Sequence, residues 1–481
     1  MSNNDNKINP SRRNLLKIAG ALGGGYVLGR FFPEKKNLEQ ATLNNVSDVA
    51  FARSIDKAYY RSAQVYQVDF PKLAQDGDYD VCIIGGGLTG ISTALHLANQ
   101  NHKVILLEAG TLAAKASGVN RGQVSNSYEC EMAFFEEKFG DEIAKKFWNL
   151  SLDAVNIVKS NIAKYKINCG WQSGIGIAAY KAEHLADLEE ELEIISNKYG
   201  YKDIQLFDAK QAQELTGSSI YHGLLYDKGN GHMNPLNYAL GLAQVLKNTP
   251  NISIFENSPA TTIEFHEDKP HTIIVNDKYK ISAKNVVLAA NYGNDKFLPE
   301  LQSTSMSMET FIMATERLDD KIVNSLLTNR MAVFDTRRVM NYFRLTEGNN
   351  LLFGGGDVFG EFNLKTVEQT LYRELIFTYP QLAGVKVQNF WQGTESFTLN
   401  LAPVIGRTHA NSVYYAKAYS GQGLALSNLT GKMFADAING NSTNLDLFAQ
   451  IKPFGFTKSK FIQDMTLKAG TYYYKILDKL S

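Results

Sequence analysis

A buried strand, a helix and a second strand are predicted in succession from residue 79. The apolar run from Val81 to Ile84 is bounded by glycine and has the length of a buried parallel strand. Apolar positions then recur with helical spacing between Gly90 and Asn99, and residues 104–107 form another apolar run. This order predicts an α/β fold with a Rossmann-like domain around a central parallel sheet.

The turn between the first strand and the helix carries a glycine pattern with a known physical use. Gly85, Gly87 and Gly90 stand at G-x-G-x-x-G spacing, and Glu108 ends the second strand. The glycines allow a tight turn, close approach of a pyrophosphate and close helix–strand packing, while the acid can accept hydrogen bonds from a ribose. The complete unit predicts a dinucleotide site.

Two further loops of small and polar residues are candidates for the same ligand. The first follows the predicted ribose acid directly, and the second precedes a helical stretch at residues 426–438. Backbone amides in such loops can approach an anionic ligand, and a helix N-terminus favours one. The predicted cofactor-binding residues in these loops are Ser117, Gly118, Asn120, Gln123, Ser420, Gly421, Gln422 and Gly423. A ligand held at both ends by loops far apart in the sequence fits a flavin dinucleotide.

Composition narrows the function classes. The 481 residues predict two or three domains at roughly 150 residues each. Lys and Arg total 49, as do Asp and Glu, which argues against a nucleic-acid-binding surface. Cys82, Cys130 and Cys169 are too few for a disulfide framework or a structural zinc site.

The first 36 residues have the pattern of an export signal. Arg12 and Arg13 precede a short, glycine-rich apolar stretch from Ile18 to Gly29, which resembles a twin-arginine signal. A membrane-spanning helix needs roughly twenty apolar residues, so this stretch is too short to be one. We expect a periplasmic protein, or one tethered to the inner membrane if the signal is not cleaved. A disordered basic tail on a cytoplasmic protein is the alternative.

The motifs together resemble a known family. G-G-G-L-T-G, A-S-G-V-N-R-G-Q-V, A-P-V-I-G-R and Y-S-G-Q-G-L-A resemble the D-amino acid oxidase superfamily of FAD-dependent oxidoreductases, and within it the bacterial gamma-glutamylputrescine oxidoreductases. The chain departs from the family loops at Val119, Arg121, Ala418 and Gln422, the last of which stands where histidine is common.

The resemblance implies non-covalent FAD and an interleaved domain order. The FAD domain would be discontinuous, and a mixed-sheet substrate domain would be inserted in two pieces. The predicted ranges are 1–36 for the signal, 37–78 for an N-terminal extension, 79–130, 222–299 and 391–452 for the FAD domain, 131–221 and 300–390 for the substrate domain, and 453–481 for a C-terminal helical segment.

The resemblance also implies roles for individual residues. Thr261 would present its backbone to adenine, and Arg344 would bind a substrate carboxylate, with a strand-edge salt bridge as the alternative. Lys417 is a candidate for assisting O2 reduction. Tyr342, Trp391 and Tyr419 are further candidates, as aromatic walls around the amine or the flavin, or else as core residues. No metal site is expected.

The implied reaction is oxidation of an amine C–N bond to an imine, with hydride transfer to flavin N5. Gamma-glutamylputrescine or a related amine is the expected substrate, and O2 or a quinone the expected electron acceptor. An amino-acid or sarcosine-type oxidoreductase and a non-enzymatic flavin-binding assembly factor are the alternatives.

Overall fold

The computed structural model describes residues 58–98, 100–337, 339–358 and 363–453. The predicted export signal, residues 37–57 of the predicted extension and residues 454–481 of the predicted C-terminal segment lie outside these ranges. In the described ranges, no helix is both long and apolar enough to cross a membrane.

Seventeen strands and twelve α-helices are numbered below in chain order within the described ranges. The strands are β1 Gly77–Ile84, β2 Val104–Leu107, β3 Gln123–Val124, β4 Gln172–Ala178, β5 Ile204–Phe207, β6 Leu224–His232, β7 Ile252–Phe255, β8 Ala260–Glu264, β9 His271–Val275, β10 Tyr279–Leu288, β11 Met306–Thr315, β12 Ala332–Asp335, β13 Tyr342–Leu345, β14 Leu351–Val358, β15 Val387–Phe397, β16 Val404–Thr408 and β17 Val413–Lys417. The helices are α1 Tyr59–Ser62, α2 Leu88–Leu97, α3 Ala116–Val119, α4 Glu131–Phe139, α5 Asp141–Tyr165, α6 Ala182–Glu193, α7 Ala209–Thr216, α8 Pro235–Lys247, α9 Asp320–Val323, α10 Leu364–Thr378, α11 Gly423–Ile438 and α12 Thr443–Ala449.

The first sheet has a parallel centre, as the sequence predicts. Its strand order is β16-β17-β10-β1-β2-β7, and β8 and β9 extend it from β10. The five strands β17, β10, β1, β2 and β7 pair in parallel. Residues Val81 to Ile84 of β1 are all buried, because this central strand is covered on both faces.

Two helices from opposite ends of the chain pack closely beside this sheet. Helix α2 follows β1, and helix α11 follows β17. The Ser92 hydroxyl donates to the Asn428 carbonyl over 2.8 Å, and a methyl group built on Gly431 would lie 2.5 Å from Cβ of Ser92. The small residues at this crossing allow the two helices to approach closely. Because each helix follows a strand of the same parallel set, their N-termini lie on the same side of the fold.

The second sheet is mixed, with the order β15-β11-β14-β13-β12-β4-β6-β3 and with β5 paired to β6. All of its pairs are antiparallel except β4 with β12. Ile312 lies opposite both Trp391 and Gly354, and Gly354 lies opposite Tyr342, so these residues share one face. The fold class that we predicted, a Rossmann-like domain interleaved with a mixed-sheet domain, is confirmed.

Sheet membership divides the chain at other points than the predicted domain boundaries. Strands β3, β6 and most of β15 fall in the ranges predicted for the FAD domain, yet all three belong to the second sheet. Strand β15 pairs along its length with β11, and β6 pairs with β4. Pairing partners far away in the sequence decide where these strands lie, and a local apolar pattern does not contain that information.

Candidate functional site

The turn between β1 and α2 is built so closely that side chains are excluded. Gly85 has φ +113°, and a methyl group on it would lie 2.6 Å from the Ala289 carbonyl oxygen. A methyl group on Gly90 would lie 2.0 Å from the Gly85 carbonyl oxygen. Gly87 is the N-cap of α2 and gives no side-chain cap. Apart from the Leu88 amide, which donates to the Ser117 hydroxyl, the amides of the first turn have no side-chain cap among the described residues, which suits a pyrophosphate.

Glu108 holds this turn through its carboxylate. Its Oε2 accepts from the Gly86 amide over 2.7 Å, and its Oε1 accepts from the Gly110 amide over 2.7 Å. A carboxylate oxygen can accept more than one hydrogen bond, so ribose hydroxyls can still be bound at the end of β2. The acid thus stands where the sequence predicts it.

The loop at residues 116–124 is largely a short helix, α3, followed by β3. The Ser117 hydroxyl accepts from the Leu88 amide over 2.9 Å, which fixes α3 beside the start of α2. The Asn120 side chain donates to the Ala116 carbonyl over 2.8 Å and accepts from the Gly122 amide over 2.8 Å. Asn120 therefore shapes the loop through its side chain. Gly118 and Gln123 are buried in it.

The loop at residues 418–423 has an unusual backbone. Ala418 and Ser420 have φ of +55° and +52°, values that non-glycine residues rarely adopt, and Gly421 has φ +90°. Gln422 accepts from the Ser125 hydroxyl over 2.9 Å and donates to Oε2 of Glu129 over 3.1 Å. Helix α11 then starts at Gly423 without a side-chain cap.

The three loops meet at one place. The Thr89 and Tyr419 hydroxyls are 2.8 Å apart, and Arg121 reaches from the α3 loop to the Gly421 carbonyl over 3.5 Å. The Arg121 guanidinium also lies 5.5 Å from the centre of the Tyr342 ring, on the second sheet. The structure thus brings together the two glycine loops that the sequence singled out and one face of the second sheet.

Arg344 is on that face, but its donors are used by the protein. Its Nε donates to the Arg121 carbonyl over 2.8 Å, and its Nη2 donates to the Met233 carbonyl over 2.8 Å and to the Tyr60 hydroxyl over 3.0 Å. The side chain is buried, and the cavity beside it has a volume of only about 10 Å³, room for about one water molecule. This geometry favours a structural role over the predicted binding of a substrate carboxylate.

Two of the predicted aromatic walls, Trp391 and Tyr342, differ in their surroundings. Trp391 is buried, donates from Nε1 to the Val119 carbonyl over 2.9 Å and lies edge-on to Tyr60 at 5.6 Å. It therefore packs the second sheet against the α3 loop. The Tyr342 hydroxyl donates to the Phe311 carbonyl over 3.2 Å, while its ring carries the Arg121 guanidinium.

Thr261 lies at an irregularity in the first sheet. The register between β8 and β9 shifts between Ala260 and Thr262, which leaves Thr261 outside the regular ladder. Its hydroxyl donates to the Ile274 carbonyl over 3.3 Å. The contact between its backbone and adenine stays a prediction. The irregularity is compatible with it, because Thr261 has no partner in the register of β8 and β9.

Lys417 points into the core of the first sheet. Its Nζ pairs with the Asp295 carboxylate and donates to the Leu301 carbonyl over 3.1 Å, and the side chain is fully buried. Burial lowers the pKa of Lys417, while the bond to Asp295 raises it. Because the ammonium is committed to this pair, the geometry does not support the predicted role in O2 reduction.

Lys417→Met should therefore lower stability and leave oxygen chemistry intact. We expect the free energy of unfolding to fall by about 1–3 kcal/mol, because Asp295 loses its cation. Denaturant unfolding measures this change, and Lys284→Met, which breaks an exposed pair with Asp80, is the control. The rate at which the reduced flavin is reoxidised by air should stay at the wild-type value. A fall of 100-fold or more in that rate, at unchanged stability, would contradict the account.

His232 is a buried neutral group behind Arg344. Its Nε2 donates to the Arg330 carbonyl over 2.8 Å, which leaves Nδ1 facing Nη1 of Arg344 at 3.5 Å. Burial, reinforced by the charge of Arg344, lowers the pKa of His232 to about 3. These bonds favour a structural role for His232.

His232→Asn should make the protein less sensitive to mild acid. Between about pH 6.5 and pH 3 the histidine of the unfolded chain binds a proton that His232 in the folded chain does not bind, so stability is lost as the pH falls. We expect each unit of pH to cost the wild type about 1.4 kcal/mol more than the variant in this window. Chemical denaturation at a series of pH values measures the slope. The exposed His222→Asn is the control, and equal slopes in wild type and His232→Asn would refute this assignment.

Sequence reasoning missed three side chains at this place. Tyr60, from the predicted extension, is fully buried against Arg344 and Trp391. Glu129 and Glu395 approach Gly421, and a methyl group built on this glycine would lie 4.0 Å and 3.5 Å from their respective Oε2 atoms. None of the three stands in a motif.

Comparison with known proteins identifies the class to which this site belongs. Residues 80–437 match the family model of FAD dependent oxidoreductases, named DAO, and the chain belongs to this family. It is 35% identical over 428 residues to the probable oxidoreductase OrdL of Haemophilus influenzae, covering 88% of this chain and 97% of that protein. It is 34% identical over 427 residues to the gamma-glutamylputrescine oxidoreductase of Escherichia coli, covering 88% of this chain and 98% of that protein. The crystal structure of glycine oxidase from Geobacillus kaustophilus has the same fold, with a TM-score of 0.67 at 20% identity over 79% of this chain and 100% of that one.

The protein is thus an FAD-dependent oxidoreductase, and the residues described above fit the cofactor. The first turn of α2, from Gly87 to Gly90, would hold the pyrophosphate, and Glu108 would bind the ribose. The α3 loop and the open end of α11 lie on the side of the second sheet, where they would hold the flavin end.

Proposed function

We propose that the protein oxidises an amine C–N bond, and that gamma-glutamylputrescine or a closely related amine is its substrate. The observation that carries this proposal is the likeness to gamma-glutamylputrescine oxidoreductase, which extends over 98% of that protein and so includes both sheets. An amino-acid or sarcosine-type oxidoreductase of the same family is the second candidate. Both candidate substrates carry a carboxylate, so Arg344, which already bonds to Arg121, Met233 and Tyr60, does not distinguish between them.

The proposed reaction balances as a two-electron oxidation. The substrate loses a hydride from the carbon that bears nitrogen and a proton from the nitrogen, which gives an imine. Water hydrolyses this imine to a carbonyl compound and ammonia, or to a carbonyl compound and a free amine where the nitrogen carries a second carbon substituent. Bound FAD would supply the hydride acceptor, and O2 or a quinone would take up the two electrons as hydrogen peroxide or a quinol. The protein must orient the amine and limit access of water. Tyr342, Arg121 and the loop at 418–423 line the place where it would do so.

A substrate panel tests the proposal. Each of four compounds is added anaerobically to the FAD-loaded protein: gamma-glutamylputrescine, putrescine, glycine and sarcosine. The loss of oxidised flavin absorbance is then measured as a function of time. We expect gamma-glutamylputrescine to bleach the flavin fastest. Faster bleaching by glycine or sarcosine would favour the second candidate instead. Repeating the titration in air, and with a soluble quinone, distinguishes the two acceptors by which one restores the absorbance.

We also propose that residues 1–36 direct export by the twin-arginine route, which carries folded proteins. The support is the Arg12-Arg13 pair before a short apolar stretch. A reporter fused to residues 1–52 should be exported, and replacing both arginines with lysine should abolish export. Export that survives this replacement would contradict the proposal. Membrane fractionation of the full chain tests whether an uncleaved signal tethers it.

A further inference from the structure

Two carboxylates approach the same point in the candidate active site. Glu395 lies on β15, four residues beyond Trp391, and therefore on the sheet face that covers the α3 loop. Glu129 lies in the turn before α4. Their Oε2 atoms are 3.5 Å and 4.0 Å from the position that a methyl group on Gly421 would take. Both acids therefore approach the loop that precedes α11.

These acids are not neutralised by the part of the chain that the structure describes. Glu129 accepts one hydrogen bond, from the Gln422 amide over 3.1 Å, and Glu395 has neither a hydrogen bond nor an ion pair there. Burial raises the pKa of Glu395, the charge of Arg121 lowers it, and the charge of Glu129 raises it. Both side chains are partly buried, and a partly buried carboxylate without a charged partner is stabilised when a cation binds to it.

Arg121 does not take this place. Its guanidinium lies over the Tyr342 ring, and its polar contacts are the Gly421 carbonyl at 3.5 Å and the Met340 sulfur at 3.8 Å. It is near enough to Glu395 to lower the pKa of that acid, but the two side chains form no ion pair within 4.0 Å among the described residues. The site thus contains two carboxylates and a separate guanidinium beside an aromatic ring.

We propose that Glu395, supported by Glu129, binds the ammonium group of the amine substrate beside Gly421 and selects cationic amines. The inference rests on the proposed function and specifies its substrate class. Two carboxylates attract an ammonium and repel a free carboxylate, so the pair favours amines over simple amino acids at this point. Gln422 is a positioning residue in this arrangement, because its amide holds Glu129 while its carbonyl accepts from Ser125.

Glu395→Gln tests the inference, since it removes the charge and keeps the size of the side chain. Binding of a primary alkylamine is measured by its perturbation of the oxidised flavin spectrum, and the KM for gamma-glutamylputrescine is measured separately. We expect the dissociation constant of the alkylamine and the KM for gamma-glutamylputrescine each to rise roughly 10- to 100-fold, as for loss of a charged hydrogen bond. Binding of the alcohol of the same chain length should not change. Glu395→Asp keeps the charge, so its amine dissociation constant should lie between those of Glu395→Gln and the wild type.

Glu309→Gln is the matched control. Glu309 is a half-buried acid on the adjacent strand β11, and it accepts from the Thr394 hydroxyl over 3.0 and 3.1 Å. Because Thr394 is next to Glu395 in the strand, it lies on the opposite face of the sheet. This variant should keep the wild-type amine affinity. FAD content and melting temperature, measured for all variants, show whether each has folded.

The outcomes separate this inference from the proposed function. If folded Glu395→Gln binds the amine as tightly as the wild type does, the inference is overturned. The proposed function still holds in that case, provided that amines bleach the flavin of the wild type. Amine binding that depends on Glu395 but never bleaches the flavin would support the inference and overturn the function. If Glu395→Gln fails to fold, Glu129→Gln decides the matter, with a rise in the amine dissociation constant supporting the inference and an unchanged constant overturning it.

Discussion

Replacing Arg344 with alanine should lower the free energy of unfolding by about 3–5 kcal/mol. The guanidinium joins the Arg121 carbonyl of the α3 loop, the Met233 carbonyl after β6 and the Tyr60 hydroxyl. Without it, these three buried acceptors lose their donor and a cavity opens beside Trp391 and Tyr60. Removing the guanidinium also removes the cost of burying its charge, but this gain only partly offsets the two losses. We also expect weaker retention of FAD, because the α3 loop loses one of its ties to the second sheet.

Denaturant unfolding and flavin content measure this effect together. Arg407→Ala is a suitable control, because Arg407 pairs with Asp446 at a partly exposed position and should cost less than about 1 kcal/mol. Arg344→Lys should recover only part of the stability, since one ammonium cannot reach all the acceptors of a planar guanidinium. A fully stable Arg344→Ala protein with a raised KM for carboxylate-bearing amines alone would restore the substrate role that the sequence suggested.

Gly90→Ala should weaken FAD binding by roughly 100-fold or more, which corresponds to about 2.7 kcal/mol. The added methyl group would lie 2.0 Å from the Gly85 carbonyl oxygen, so α2 and the turn must move apart. That movement withdraws the open N-terminus of α2 from the place where the pyrophosphate would lie. The protein should still fold around its remaining core, at lower stability.

Reconstitution of the apoprotein with FAD gives the dissociation constant directly. Gly110→Ala is the steric control, because a methyl group there makes only an ordinary contact, 3.7 Å from Oε1 of Glu108. Its FAD affinity should match the wild type. Equal FAD affinity in Gly90→Ala and the wild type would show that this turn does not hold the cofactor.

The sequence was sufficient for the dinucleotide turn because everything that defines this turn is local. Gly85, Gly90 and Glu108 lie within one strand–helix–strand unit, and each is found where its spacing predicted. The sequence also showed where strands occur, but it did not show to which of the two sheets each strand belongs. Strand β15 has its partner about 80 residues earlier in the chain, and no periodicity of its own residues names that partner.

The individual side chains of the site show a sharper limit. Arg344 and Lys417 have the residue types that the chemistry would use, but their actual partners are Tyr60, Met233 and Asp295, which lie far away in the sequence. Glu395 was passed over because it lies in an ordinary strand. It becomes notable only when β15 places it beside Gly421 without a partner in the described chain.

We propose that this FAD-dependent oxidoreductase oxidises amines, and the sharpest test is an anaerobic stoichiometric titration with gamma-glutamylputrescine. We predict that one equivalent of the amine per bound FAD removes the oxidised flavin absorbance, with the corresponding carbonyl product appearing in equal amount. An FAD-loaded protein whose absorbance stays unchanged after excess gamma-glutamylputrescine and other primary amines, while dithionite still reduces it, would contradict the claim.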